Sequence, residues 1–181
     1  MAIEIQREGL ILSKQHDHPR VSYLRELLEK PLPDGAHELV REAIAEYRSA
    51  FDFSRPPLRD DGNTHPTTIS VDIDEDGPHT LLAGKNKLLT VRYGQKLHED
   101  EPLGEPYVHV ITIVKLRNVT NVRIYPDWLR YTPLDQQGRS RPVRFMLGLP
   151  EQNRGINGML KVKVLNGSVA IARIPWDFRL A

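Results

Sequence analysis

The stretch from Met159 to Ile174, MLKVKVLNGSVAIARI, constrains the fold of this chain more than any other. Asn166-Gly167 is the dipeptide that a two-residue type I′ hairpin loop prefers, because both central positions need positive φ. With those two residues at the loop, Leu165 faces Ser168, Val164 faces Val169 and Val162 faces Ile171. The apolar side chains of both strands then fall on one side. Lys161 and Lys163 stand on the other, above Ala170 and Ala172, as expected of a sheet with one face in the core and one toward solvent or a partner.

The same strand chemistry runs through the preceding hundred or so residues. Ile69, Val71 and Ile73 alternate with polar neighbours, Leu81-Leu82 is short and apolar, and Leu89, Val91 and Tyr93 alternate again. Tyr107 to Arg117 is apolar on both faces, as a central strand covered on both sides would be. Val122 to Tyr125 and Val143 to Leu149 follow, with turn sequences at Gly84-Lys85-Asn86, Asn118 to Asn121 and Gln136-Gln137-Gly138 between strands. About seven to nine short strands at this spacing predict an antiparallel β-sandwich of immunoglobulin-like size, or a barrel.

Upstream the period is helical. Val21, Leu24, Leu27 and Leu28 share a face, and Pro31 and Pro33 end that helix. Asp34 is placed to cap a second one, with Leu39, Val40, Ala43, Ile44, Tyr47 and Phe51 as its apolar stripe. Between helices and strands lies FSRPPLRDDGNTHP, rich in turn residues and poor in anything to bury. The expectation is an α+β chain: an N-terminal helical segment over 1–52, a linker over 53–66 and an all-β domain over 67–181.

The absence of cysteine removes disulfides, thiolate nucleophiles and cysteine-held metals. Glu4 and Glu8 sit where a signal peptide would carry positive charge, and no apolar run approaches membrane-spanning length, so a cytoplasmic location and no membrane partner are expected. The formal net charge of +1 conceals a division: residues 1–79 hold nine Lys/Arg against sixteen Asp/Glu, and residues 80–181 hold sixteen against eight. Such asymmetry fits a nucleic-acid face, an acidic part that packs on its own basic part, or patches that join subunits.

Catalytic patterns are scarce. Asp72, Asp74 and Asp76 before Gly77 resemble the start of a calcium loop, but the twelfth position is Ala83, which supplies no carboxylate. His16-Asp17-His18 could hold a metal or a base pair, although Asp17 and Pro19 equally suit the start of a helix. No serine lies in G-x-S-x-G, and phosphate-loop, dinucleotide and zinc-protease motifs are absent. No catalytic residue and no cofactor are assigned.

The basic residues carry the remaining signal. Arg139, Arg141, Arg144, Arg154, Lys161 and Lys163 are the candidate binding set for a protein partner or nucleic acid, with Lys85, Lys87, Arg92, Lys115, Arg117 and Arg123 spread over earlier strands. Tyr107, Tyr125, Trp128 and Tyr131 could serve as platforms for bases. These features point to a non-catalytic binding or structural subunit of a larger assembly. Its partners would be other protein subunits, second copies of itself included. A nucleic-acid-binding module is the second reading, and a metal-dependent hydrolase built on Asp72, Asp74 and Asp76 the third.

Overall fold

The computed structural model describes residues 19–50, 67–95, 109–133, 135, 139–166 and 169–181. The His16-Asp17-His18 cluster, the 53–66 linker, Tyr107, the Gln136-Gln137-Gly138 loop and the hairpin-tip residues Gly167 and Ser168 lie outside them. Helices α1 (Pro19–Leu28) and α2 (Ala36–Ala50) occupy the segment with the helical period. Val21, Leu24 and Leu27 of α1 pack with Val40, Ala43, Ile44 and Tyr47 of α2 in one apolar cluster. Gly35, at φ 82, makes the turn into α2, and the Ala36 amide donates to the Pro33 carbonyl at 3.0 Å. Asp34 therefore lies one residue ahead of the cap position expected for it. Neither helix is long and apolar enough to cross a membrane.

Among the described residues nine strands follow: β1 (Thr67–Ile73), β2 (Thr80–Leu81), β3 (Asn86–Gln95), β4 (His109–Arg117), β5 (Arg123–Tyr125), β6 (Leu129–Pro133), β7 (Val143–Gly148), β8 (Asn157–Asn166) and β9 (Val169–Leu180). They form a four-stranded sheet in the order β1-β3-β7-β5 and a five-stranded sheet in the order β2-β9-β8-β4-β6. Every pairing is antiparallel except the short parallel contact of β2 with β9. The architecture is α+β with two sheets. Both sheets contribute to one core, with Leu89, Val91, Val143, Phe145 and Leu147 from the first and Leu81, Val114, Leu160, Val162, Phe178 and Leu180 from the second.

The connections follow local chemistry. Asn118 (φ 64) and Asn121 (φ 53) bracket the turn before β5, in the left-handed region that asparagine tolerates. Gly158 lies against the Phe178 ring, where an added Cβ would sit 2.5 Å from a ring carbon, so only glycine fits this close approach. Asn153 is fully buried and ties the β7–β8 connection to the β4–β5 turn. Its Oδ1 accepts from the Thr120 amide at 3.0 Å and its Nδ2 donates to the Thr120 carbonyl at 2.8 Å.

The closing hairpin forms where the sequence places it but in a different register. Asn166 pairs with Val169 and Leu165 with Ala170, so Asn166 belongs to the ladder and not to the loop. A bulge between Val164 and Leu165 then skips Ile171, and Val164 pairs with Ala172, Lys163 with Arg173 and Val162 with Ile174. Sequence alternation fixes which residues of one strand share a face, but an extra unpaired residue in the partner changes who stands opposite whom.

The helices cover one margin of the β body. α2 packs chiefly on β6, and Tyr125, Leu129, Tyr131 and Met146 join the helical cluster. Arg130 of β6 is wholly buried at this margin. Its Nε and Nη2 donate to the two carboxylate oxygens of Glu46, both at 2.7 Å, and its Nη1 donates to the Arg144 carbonyl on β7, also at 2.7 Å. One guanidinium thus links a strand of each sheet to the helix above. Burial pushes the Glu46 carboxyl above its ordinary value, and the Arg130 hydrogen bond offsets part of that rise. Arg144 is ion-paired to Glu42, and Arg20 to Asp127 at 2.7 Å. Among the described residues, acids of α2 thus pack on basic residues of β6 and β7, in line with one of the three readings of the charge division.

Candidate functional site

The outer face of β4, β8 and β9 gathers basic side chains from three neighbouring strands. Because β4 and β8 pair with Lys115 opposite Lys161 and Arg117 opposite Met159, alternation puts Lys115, Arg117, Lys161 and Lys163 on one side. The bulge brings Arg173 opposite Lys163 on that same side, with Pro175 opposite Lys161 and Asp177 opposite Met159. Lys115, Arg117 and Arg173 are exposed, and Lys161 and Lys163 are half-buried. Behind them Val114, Leu160, Val162 and Val164 are fully buried, so the cations ride on a packed sheet.

Going Arg173, Lys163, Lys161, Lys115, Arg117, each step is either one strand across or two residues along. At strand spacings of about 4.8 Å and about 6.8 Å per two residues, this staircase runs diagonally for about 17 Å. Ile113 and Leu165 flank it on one side, and Met159 and Pro175 on the other. Among the described residues of these three strands, Asp177 is the one acid on this side, at a corner, with Arg179 beyond it.

Directly opposed like charges destabilise a sheet, and two such pairs stand here, Lys115 with Lys161 and Lys163 with Arg173. The Lys163 ammonium registers the crowding: its pKa is held below the ordinary lysine range, first by Arg173, then by lost hydration, then by Lys115, Lys161 and Arg117. Such an array presents only N–H donors and positive charge. It can bind anionic groups.

The structure divides the six candidate binding residues. Lys161 and Lys163 lie in the staircase. Arg144 is on β7, beneath α2, ion-paired to Glu42 and 3.6 Å from Glu38. The Arg139 amide donates to Asp135 Oδ1 at 2.9 Å, and Arg139 is bridged to Gly94 at the end of β3. Arg141 is exposed just before β7. Arg154 is ion-paired to Glu151 in the β7–β8 connection. Lys115 and Arg117 join the staircase through strand pairing, and Arg173 is a member that sequence reasoning missed. The available signal was the i, i+2 spacing of basic residues at 115/117 and 161/163, which becomes one patch only once β4 is known to lie beside β8.

Other basic residues have separate settings. Lys87 is buried and donates to Asp76 Oδ1 at 2.6 Å, and Asp76 Oδ2 accepts the Leu82 amide at 2.7 Å. Those contacts, the Lys87 hydrogen bond foremost, hold the Asp76 carboxyl below its ordinary value. Lys85 and Arg123 border an open hollow of about 680 Å³ between the Gly84–Asn86 turn and Leu149. Asp72 and Asp74 are exposed, and among the described residues no group of three or more His, Asp and Glu side chains is placed to hold a metal ion.

The aromatic candidates do not line the staircase. Tyr125 is buried in the helical cluster, Tyr131 meets Tyr47 edge-on at 4.9 Å between centroids, and Trp128 lies under the Arg20 guanidinium at 5.0 Å.

No protein family and no curated protein matches the chain. Several solved structures are similar to part of it, among them the following. A conjugative transposon lipoprotein from Bacteroides eggerthii is 14% identical over 62% of this chain and 96% of its own, with a TM-score of 0.36. A lipoprotein from Bacteroides thetaiotaomicron is 11% identical over 66% of this chain and 83% of its own, at 0.35. A family 123 glycoside hydrolase from Clostridium perfringens is 9% identical over 63% of this chain and 27% of its own, at 0.38.

Proposed function

We propose that this chain is a non-catalytic binding subunit that docks an anionic macromolecule on the outer face of β4, β8 and β9, as part of a larger cytoplasmic assembly. In this reading the two sheets are the layers of an immunoglobulin-sized sandwich whose one margin is closed by Arg130 and the helices. The observation that supports it most is the staircase Arg173-Lys163-Lys161-Lys115-Arg117, five cations on adjacent strands with like charges directly opposed. A sheet that carries such a cost without an interleaved acid breaks a local rule of stability, and sites of that kind are where function is expected.

Retention on a polyanionic resin such as heparin tests the reading. The wild-type chain is expected to bind at low salt and to elute as salt screens the face. The Lys161→Glu/Lys163→Glu variant, checked for an unchanged circular dichroism spectrum, is expected in the flow-through. A wild-type protein that is not retained, or a folded variant that elutes at the same salt, refutes the proposal.

A further inference from the structure

We propose that the anionic partner is a nucleic acid, whose phosphate backbone lies diagonally across β4, β8 and β9 and is held without readout of its bases. This rests on the binding reading above and narrows it to one partner class.

Charge density favours this partner. The staircase offers five cations over about 17 Å, and a nucleic-acid duplex, both strands counted, carries one negative charge per about 1.7 Å of axis, about ten over that length, of which roughly half face one side. An acidic polypeptide laid out as an extended strand presents a side chain on one face only every ~6.8 Å, about three over the same distance. It would leave part of the array uncovered. The charge density of the track thus matches one side of a duplex better than a run of carboxylates on an extended peptide.

The chemistry of the track says how the nucleic acid is held. Lysine and arginine here supply donors alone, while Ile113, Leu165, Met159 and Pro175 on the flanks supply neither hydrogen bonds nor aromatic planes. Contacts of this type position a backbone and carry no direct sequence information. Among the described residues, the exposed large apolar side chains Tyr23, Leu82, Leu88 and Trp128 all lie off this track. Because the cations stand on three paired strands over a packed core, binding needs little beyond ordering of side chains.

The test is fluorescence anisotropy with two 20-base-pair DNA duplexes of unrelated sequence and a single strand of equal length, titrated across salt. If all five cations meet phosphates, the slope of log K against log salt approaches about −4.5 for duplex and about −3.5 for single strand. The two duplexes are expected to bind alike. Lys161→Gln/Lys163→Gln should flatten the duplex slope by about 1.8, the share of two contacts. Arg139→Gln/Arg141→Gln, away from the track, should leave it unchanged. A wild-type slope shallower than about −2, or one that the lysine substitutions do not move, overturns the proposal. If the protein is retained on heparin and eluted by polyglutamate yet binds neither DNA, the partner is an acidic protein, and only this inference falls. If folded wild-type protein binds neither resin nor DNA, both readings fall.

Discussion

Replacing Arg130 with methionine is expected to destabilise the fold by about 2–4 kcal/mol at neutral pH. The side chain is wholly buried and makes three hydrogen bonds at 2.7 Å, two to Glu46 and one to the Arg144 carbonyl. Removing one partner of a buried pair costs about 3–5 kcal/mol, and the apolar tip of the methionine returns about 1 kcal/mol of it. What remains is a Glu46 carboxylate without its partner and an orphaned carbonyl. Urea denaturation checks this: at a slope of about 2 kcal/mol per molar, the midpoint should fall by about 1–2 M. Burial already pushes the Glu46 carboxyl upward, and losing Arg130 removes the influence that lowers it. The folded variant therefore holds its proton more firmly than the unfolded chain does, and its deficit should shrink as pH falls. Adding Glu46→Leu to Arg130→Met should recover most of the loss, a coupling of about 2 kcal/mol, because a buried pair replaced by apolar groups is often near neutral. Arg139→Ala, which breaks an exposed pair with Asp135, should stay within about 0.5 kcal/mol. A cost below about 1 kcal/mol for Arg130→Met, or a double variant as unstable as the sum of the singles, would refute the account of this margin.

Three further outcomes follow from other parts of the molecule. Asp76 is held below its ordinary pKa in the fold, so its contribution is full above the unfolded carboxyl value near 4 and is lost as pH falls through the folded value; Asp76→Asn should remove that part of the acid limb in thermal melts between pH 3 and 7. Asn153→Ala removes a fully buried side chain and its bonds to the Thr120 amide and carbonyl and should cost about 1–3 kcal/mol by chemical denaturation. Arg173→Gln relieves the repulsion across the β8–β9 pair, so the melting temperature should rise at low salt, and the gain should vanish at high salt.

What the sequence reveals about this fold is mostly what period and turn chemistry can carry. Val143, Phe145 and Leu147 alternate in sequence and are alternately buried in β7, and Val21, Leu24 and Leu27 repeat at helical spacing and pack on α2. Non-local pairing is what the sequence conceals. Nothing near Lys115 announces that it will stand opposite Lys161, since that depends on β4 lying beside β8 across a long connection. Arg144 shows the converse: as a string of letters it belongs with Arg139 and Arg141, yet α2 lies over it with Glu38 and Glu42. The acidic residues at 38, 42 and 46, one helical turn apart, were the sequence's trace of that contact, legible only once a basic strand is set against the helix.

The skipped residue in β9 has a consequence for how the chain tolerates change in length. Because Ile171 is outside the ladder, the strand from Ala172 onward keeps its own alternation, with Phe178 and Leu180 inside and Arg173 outside, whatever the tip does. The bulge acts as slack in the thread. Deleting Ile171 would leave every remaining pair as it is, and a one-residue change at the tip could be absorbed by moving the bulge along the strand. Without it, a straight ladder continued from the Leu165–Ala170 pair would turn Arg173 and Arg179 inward and Phe178 and Leu180 out. One residue of spare chain thus keeps drift in hairpin length from reaching either the core or the charged face.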